Sequence, residues 1–140
     1  MQLNFFMARF ASIKIEEINA KELVEQLIID GLKQLEAFEK SLAGTSYLSE
    51  YKVILKYIEY LADGNTLPKG KFRHLKGSKD GIAEHEFKSK HLRMYAIQLP
   101  SKKIIILAGY KKNQDPDIVK FRSIKAYFLE SLKNRKNEKK

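Results

Sequence analysis

The chain has 140 residues, 44% of them apolar and 31% charged, the composition of a folded domain rather than a disordered segment. It contains no cysteine, which excludes disulfide frameworks, thiol nucleophiles and zinc–thiolate sites. The net charge of +10 is uneven: residues 1–63 carry 7 Lys/Arg and 10 Asp/Glu, residues 64–140 carry 20 and 7. A basic excess concentrated in one half suits a polyanionic partner, and phosphate neutralisation supplies salt-sensitive affinity. No apolar run reaches the length of a signal peptide or a membrane span, so a soluble, cytoplasmic protein without membrane attachment is expected.

The run Leu3-Asn4-Phe5-Phe6-Met7, within Gln2 to Phe10, suits a first strand. From Asn19 to Gly44 the apolar positions Leu23, Val24, Leu27, Ile28, Leu35, Phe38 and Leu42 recur mostly at three or four residues, predicting a helix. Asn19 and Glu22 suggest its capping box and Gly44 its end. A second helix is expected from Ser46 to Asp63, stopped by Gly64, and the two should form an antiparallel hairpin across Ala43-Gly44-Thr45.

After the breakers Asn65-Thr66-Leu67-Pro68 the pattern turns to strands: Lys71 to Leu75, Ile82 to Phe87, Leu92 to Leu99 and Lys103 to Tyr110. Ile104 to Leu107 shows no alternation and should be a central strand buried on both faces. Asp115-Pro116-Asp117 opens a last helix, and residues 133–140 read as a basic tail that frays. The expected class is α+β in a single domain over residues 1–132: an N-terminal strand, a two-helix hairpin, an antiparallel sheet and a C-terminal helix.

The stretches Leu75-Lys76-Gly77, Asp80-Gly81, Glu84-His85-Glu86, Leu92-Arg93-Met94-Tyr95, Ile104 to Leu107 and Tyr110-Lys111-Lys112, with Pro116 before the last helix, together resemble the RelE/HigB superfamily of toxin–antitoxin toxins. The likeness is to its phage Gp49-like branch and covers about residues 64–130. It implies a toxin restrained by an antitoxin, expected to be a helix-turn-helix protein. It also implies cleavage of mRNA on the ribosome without metal or other cofactor: the ribose 2′-OH attacks the adjacent phosphate in line. By resemblance Arg93 holds the charge of the transition state, as a planar fork suits phosphate oxygens. Relatives place a basic residue where this chain has Glu86.

Glu84 and Glu86 lie two apart and share a sheet face. Three readings of Glu86 stand side by side: a general base, the mark of a weakened toxin, and a structural salt bridge to Arg93. Lys71 and Arg73 alternate with His74 and Lys76. Leu75, with the parity of Lys71 and Arg73, reads as core, which points to His74 and Lys76 as the RNA-facing pair. His74 titrates in the range of a proton shuttle. Tyr110, Lys111 and Lys112 could stack a base and hold its backbone. Thus Arg93, Glu84, Glu86 and His74 are the catalytic candidates, and Lys71, Arg73, Lys76, Tyr110, Lys111 and Lys112 the RNA-binding ones. Two other functions fit the chain. One is a non-catalytic, toxin-like module that docks on RNA, ribosome or partner protein. The other is a Mg²⁺-dependent nuclease using Asp80 with Glu86-Phe87-Lys88.

Overall fold

The computed structural model describes residue 5 and residues 7–138, with side chains to residue 136. Among these, seven strands form one sheet and three α-helices cover it. In chain order they are β1 (Phe10–Lys14), β2 (Leu23–Ile29), β3 (Leu32–Lys33), α1 (Gln34–Ser41), α2 (Tyr47–Ala62), β4 (Phe72–His74), β5 (Glu84–Lys88), β6 (Leu92–Leu99), β7 (Lys102–Tyr110) and α3 (Gln114–Glu138). The sheet order is β1-β2-β7-β6-β5-β4, with β3 pairing β2. The α+β class therefore holds.

Two expectations are corrected. Residues 23–29, read as helix, are a strand that lies between β1 and β7, antiparallel to the first and parallel to the second. Covered on both edges and both faces, it has no polar face, so its apolar spacing fits a helix as readily as a buried strand. The deciding local signal is Asp30-Gly31. Both residues have positive φ (50° and 82°), as a two-residue hairpin turn needs, and Ile29 faces Leu32 across it. The first helix of the expected hairpin is thereby reduced to Gln34–Ser41, and Gln26 of β2 accepts the backbone N–H of Glu36 in its first turn at 3.0 Å. The second correction is at the C-terminus, where the described part of the expected tail, to Glu138, continues α3. The expected first strand falls largely on residues 1–4 and 6, outside the described residues; within them strand begins at Phe10.

The other elements follow their sequence signals. Gly64, at φ 92°, ends α2, and Pro116 sits in the first turn of α3, where its missing N–H costs no hydrogen bond. Strands β4 to β7 form an antiparallel meander, and Ile104, Ile105 and Ile106 of β7 are at most 1% exposed. Alternation along the strands, broken once by a bulge at Ile106 where Tyr95 faces Leu107 and Ala96 faces Ile105, divides the core. Leu92, Met94 and Ala96 pack with α1 and α2, whereas Tyr95, Ile97 and Leu107 pack with Phe121, Ile124 and Phe128 of α3. Each sheet face thus has its own helical layer.

Candidate functional site

On the α3 face, β5 projects Glu84, Glu86 and Lys88, and register sets the rest opposite them. Arg73 of β4 and Tyr95 of β6 flank Glu86, while Arg93 pairs with Lys88 on one side and Gly109 on the other. The N-terminus of α3 closes this end of the sheet. Gln114 donates to Glu86 Oε2 at 2.7 Å, and a Cβ at position 109 would collide with the Asp117 carboxylate. A side chain at position 109 would have to displace the Asp117 carboxylate in the first turn of α3.

Glu86 is fully buried, and its Oε1 accepts from Arg73 Nε at 2.6 Å. Its partner is thus Arg73 rather than Arg93. The bond raises the pKa of Arg73 above its ordinary value. Arg93 is 6% exposed and anchored from behind, with Nη1 donating to the carbonyls of Ser89 (2.6 Å) and Leu92 (2.8 Å). Ser89 is held in turn by Glu50 of α2, which accepts from Ser89 Oγ at 2.6 Å and from both the backbone N–H and Nδ1 of His91. Burial would raise the pKa of Glu50, but these hydrogen bonds outweigh it and lower it. The guanidinium of Arg93 is therefore fixed by a chain of contacts running through the sheet end to α2.

What distinguishes this cluster is its surplus of donors. Arg93 Nε and Tyr95 Oη are buried and find no hydrogen-bond partner among the described residues. Unpaired buried groups cost about 1–3 kcal/mol each, so the two donors call for a partner, an ordered water or a ligand. Lys88 stands half-buried at the rim. Burial first, and then the charges of Arg73 and Arg93, hold its pKa below the usual lysine value against the opposing pull of Glu86. Burial, with the charges of Glu86 and Asp117, keeps the Tyr95 hydroxyl protonated well beyond its ordinary range. Burial also raises the pKa of Asp117, partly offset by Lys120.

The remaining sequence candidates separate from this cluster. Glu84 shares the face but belongs to a closed network: Arg122 Nε donates to its Oε1 at 3.0 Å and Lys125 Nζ to its Oε2 at 2.9 Å. Lys125, 1% exposed, also donates to Ser78 Oγ, Asp80 Oδ1 and the Ile82 carbonyl, stapling the 78–84 segment to α3. Asp80 and Glu86 thus lie in different hydrogen-bond networks and do not present the paired ligands a Mg²⁺ nuclease needs. Among the described residues no group of three His, Cys, Asp or Glu side chains is placed to hold a metal ion.

His74 projects from the opposite face, its ring 4.8 Å from His85 and 5.0 Å from Phe72. Leu75 packs in the α3-side core as its parity required, which carries Arg73 to the α3 side too. Lys76 is exposed and contributes its carbonyl to Arg122. Lys71 reaches over the Tyr57 ring at 5.0 Å. Tyr110 packs edge-on against Phe38 and Tyr47 on the α1/α2 face, with Lys112 Nζ 5.7 Å above it, and Lys111 is exposed beside it. The site thus gathers Arg93, Glu86 and Arg73 from the candidates and adds Lys88, Tyr95, Gln114 and Asp117. The sequence named Lys88 only within the Mg²⁺ alternative, although it also continues the two-residue spacing of Glu84 and Glu86. Gln114 and Asp117 required the docking of α3.

Among the described residues no helix is long and apolar enough to cross a membrane. Comparison with protein-family models, with curated proteins and with solved structures returns no match.

Proposed function

We propose that this protein is an RNA-directed toxin of the RelE/HigB kind, an endoribonuclease whose active centre is the Arg73–Lys88–Arg93–Tyr95 cluster. The observation that carries the proposal is Arg93: buried, fixed through Nη1, and left with an unpartnered Nε between a lysine of lowered pKa and an unpartnered tyrosine hydroxyl. The guanidinium is held in place but shielded, so an oxyanion reaches Nε only when the rim formed by Arg73 and Lys88 opens; it then meets a positioned donor, which is how transition-state charge is stabilised. Arg73, 44% exposed, meets the scissile phosphate first, and Arg93 Nε and Tyr95 Oη donate to its oxygens once the rim has opened. Neutral Lys88 takes the 2′-OH proton as the 2′-oxygen bonds to phosphorus, and the leaving 5′-oxygen draws its proton from solvent at the exposed mouth beside Arg73. Glu86 is the strut that orients Arg73 and ties down α3, because both its oxygens already accept hydrogen bonds in a fully buried position. The cognate antitoxin, a helix-turn-helix protein on the same resemblance, would cover this cationic end.

One observation favours a second reading, a toxin-like module that docks on RNA without cutting it: the Glu86 carboxylate lies where a phosphate would otherwise claim Arg73 alone. A growth assay with RNA sequencing separates the two. Unrestrained expression arrests growth with cleaved mRNA, and Arg93→Ala relieves both. Arrest with intact mRNA in the unsubstituted protein supports docking and refutes cleavage. Cleavage lost on chelation refutes the assignment of the chemistry to Arg93 and Lys88.

A further inference from the structure

Edge strand β4 is only three residues long, and at this margin of the sheet Arg73 and Lys88 also line a cleft bounded by Phe72 and His74. The cleft has a volume of about 680 Å³; its apolar floor is Leu61, Leu67 and Phe72, and its rim adds Lys69. This volume lies within the range of small-molecule sites, and the combination of apolar floor and a few polar groups is how such sites bind. Phe72 is held rigidly: its ring lies 5.0 Å from those of His74 and His85 and 5.2 Å from that of Phe87. His85 in this cluster is 4% exposed and its Nδ1 is unpartnered, so hydrogen-bonding capacity is unused one ring from the cleft. No carboxylate lines the cleft, whereas the larger one beside α3, about 750 Å³, has Asp80 and Glu130 among its cations.

An apolar floor carrying one aromatic ring, with cations and no carboxylate on its rim, suits a nucleobase joined to its phosphate. Aromatic stacking contributes about 1–3 kcal/mol per base and tolerates any base, while lysine and arginine hold the backbone. We infer that the cleft lined by Leu61, Leu67 and Phe72 takes one unstacked base of a single-stranded RNA, the nucleotide whose phosphate is held by Arg73, with Lys69 on the same rim. This rests on the RNA-directed reading above and names what selects the substrate: a strand whose bases can be splayed out, as single-stranded RNA presents them. Base-paired RNA, with its bases stacked inward, cannot enter.

The test uses the full chain and a fluorescent hexamer RNA carrying 2′-O-methyl groups, so that no cleavage occurs. Binding is measured for the intact hexamer and for hexamers lacking one base at each position in turn. One position is expected at which removing the base weakens binding about tenfold. Phe72→Ala abolishes that difference while leaving the affinity for the abasic hexamer unchanged, and Leu67→Ser, which does not touch the aromatic cluster, does the same. A flat abasic series in a chain that still binds RNA overturns the base pocket and leaves the RNA-directed reading intact. So does a difference that survives both substitutions. Failure of every hexamer to bind overturns the RNA-directed reading itself. Adenosine 5′-monophosphate binding as tightly as the hexamer overturns the assignment of the cleft to a strand.

Discussion

Glu86→Gln separates the two roles open to this carboxylate, because it keeps the shape and removes the charge. In the native chain Glu86 is fully buried and accepts from Arg73 at 2.6 Å and Gln114 at 2.7 Å. An amide can still accept from Arg73 and, with the Gln114 amide turned over, donate to it. The loss is then the difference between charge-assisted and neutral hydrogen bonds, about 1–2 kcal/mol, discounted because Arg73 is 44% exposed and recovers water. In a chain of this size that lowers Tm by about 3–8 °C, measured by circular dichroism. The functional effect has the opposite sign. Two unit charges at roughly 7 Å and an effective dielectric of about 20 interact by about 2.4 kcal/mol, which screening by salt cuts to roughly 1 kcal/mol. Removing the anion beside the phosphate site should therefore tighten RNA binding about fivefold, read by fluorescence anisotropy, while cleavage persists. If Glu86→Gln abolishes cleavage and leaves binding untouched, Glu86 is the base, and the assignment of that role to Lys88 is wrong.

Lys88 acts as base only when neutral, so the rate of cleavage should rise with pH through its pKa and level off below the ordinary lysine value of 10.5. A rate independent of pH over that range, or unaltered by Lys88→Met, would refute its role. Lys125→Met leaves Glu84, 3% exposed, without its buried cation and should cost about 3–5 kcal/mol, read as the urea midpoint. A loss under about 1 kcal/mol would show that the staple contributes little. His85 has its pKa pushed down to about 3 by burial, with help from Lys103 and His74. Its folded form stays neutral while the unfolded chain protonates near 6.5, so this residue contributes stability above pH 6.5 that drains away as pH falls toward 3. The drain is about 1.4 kcal/mol per pH unit. Between pH 6.5 and 5 the protein should therefore lose about 2 kcal/mol more than His85→Phe does, and equal slopes would refute this.

The sequence was most legible where alternation or a breaker acts locally. Strand β6 was read at Leu92 to Leu99, as found, and the helix from Ser46 to Asp63 differs from α2 by one residue at each end. Residues 23–29 misled because strand identity there comes from flanking strands far away in sequence, β7 above all, which no window of β2 contains. For the site, parity sufficed to set Glu84 and Glu86 on one face, but it pointed to His74 and Lys76 rather than Arg73 as the RNA-facing pair, and only the register brings Arg73 and Arg93 beside them. Register was not legible. Neither was the direction in which Tyr110 leaves the end of β7, which takes its ring to the α1/α2 face and away from Arg93.

Adjacent positions on one strand show why counting hydrogen-bond partners discriminates better than charge. Glu84 and Glu86 are both buried carboxylates on the same face, two residues apart, and each binds an arginine. Around Glu84 the donors are fully used: the three N–H bonds of Lys125 are shared among four acceptors and Arg122 meets two, so the network leaves no buried polar atom unpaired and carries only a stapling role. Around Glu86 two donors, Arg93 Nε and Tyr95 Oη, remain unpaired. Folding alone gives no reason to keep them, since apolar replacements of similar volume would remove their desolvation cost. An anion arriving from outside does give a reason. On the proposed reading those two atoms, rather than the chain's overall positive charge, are what a phosphate would engage.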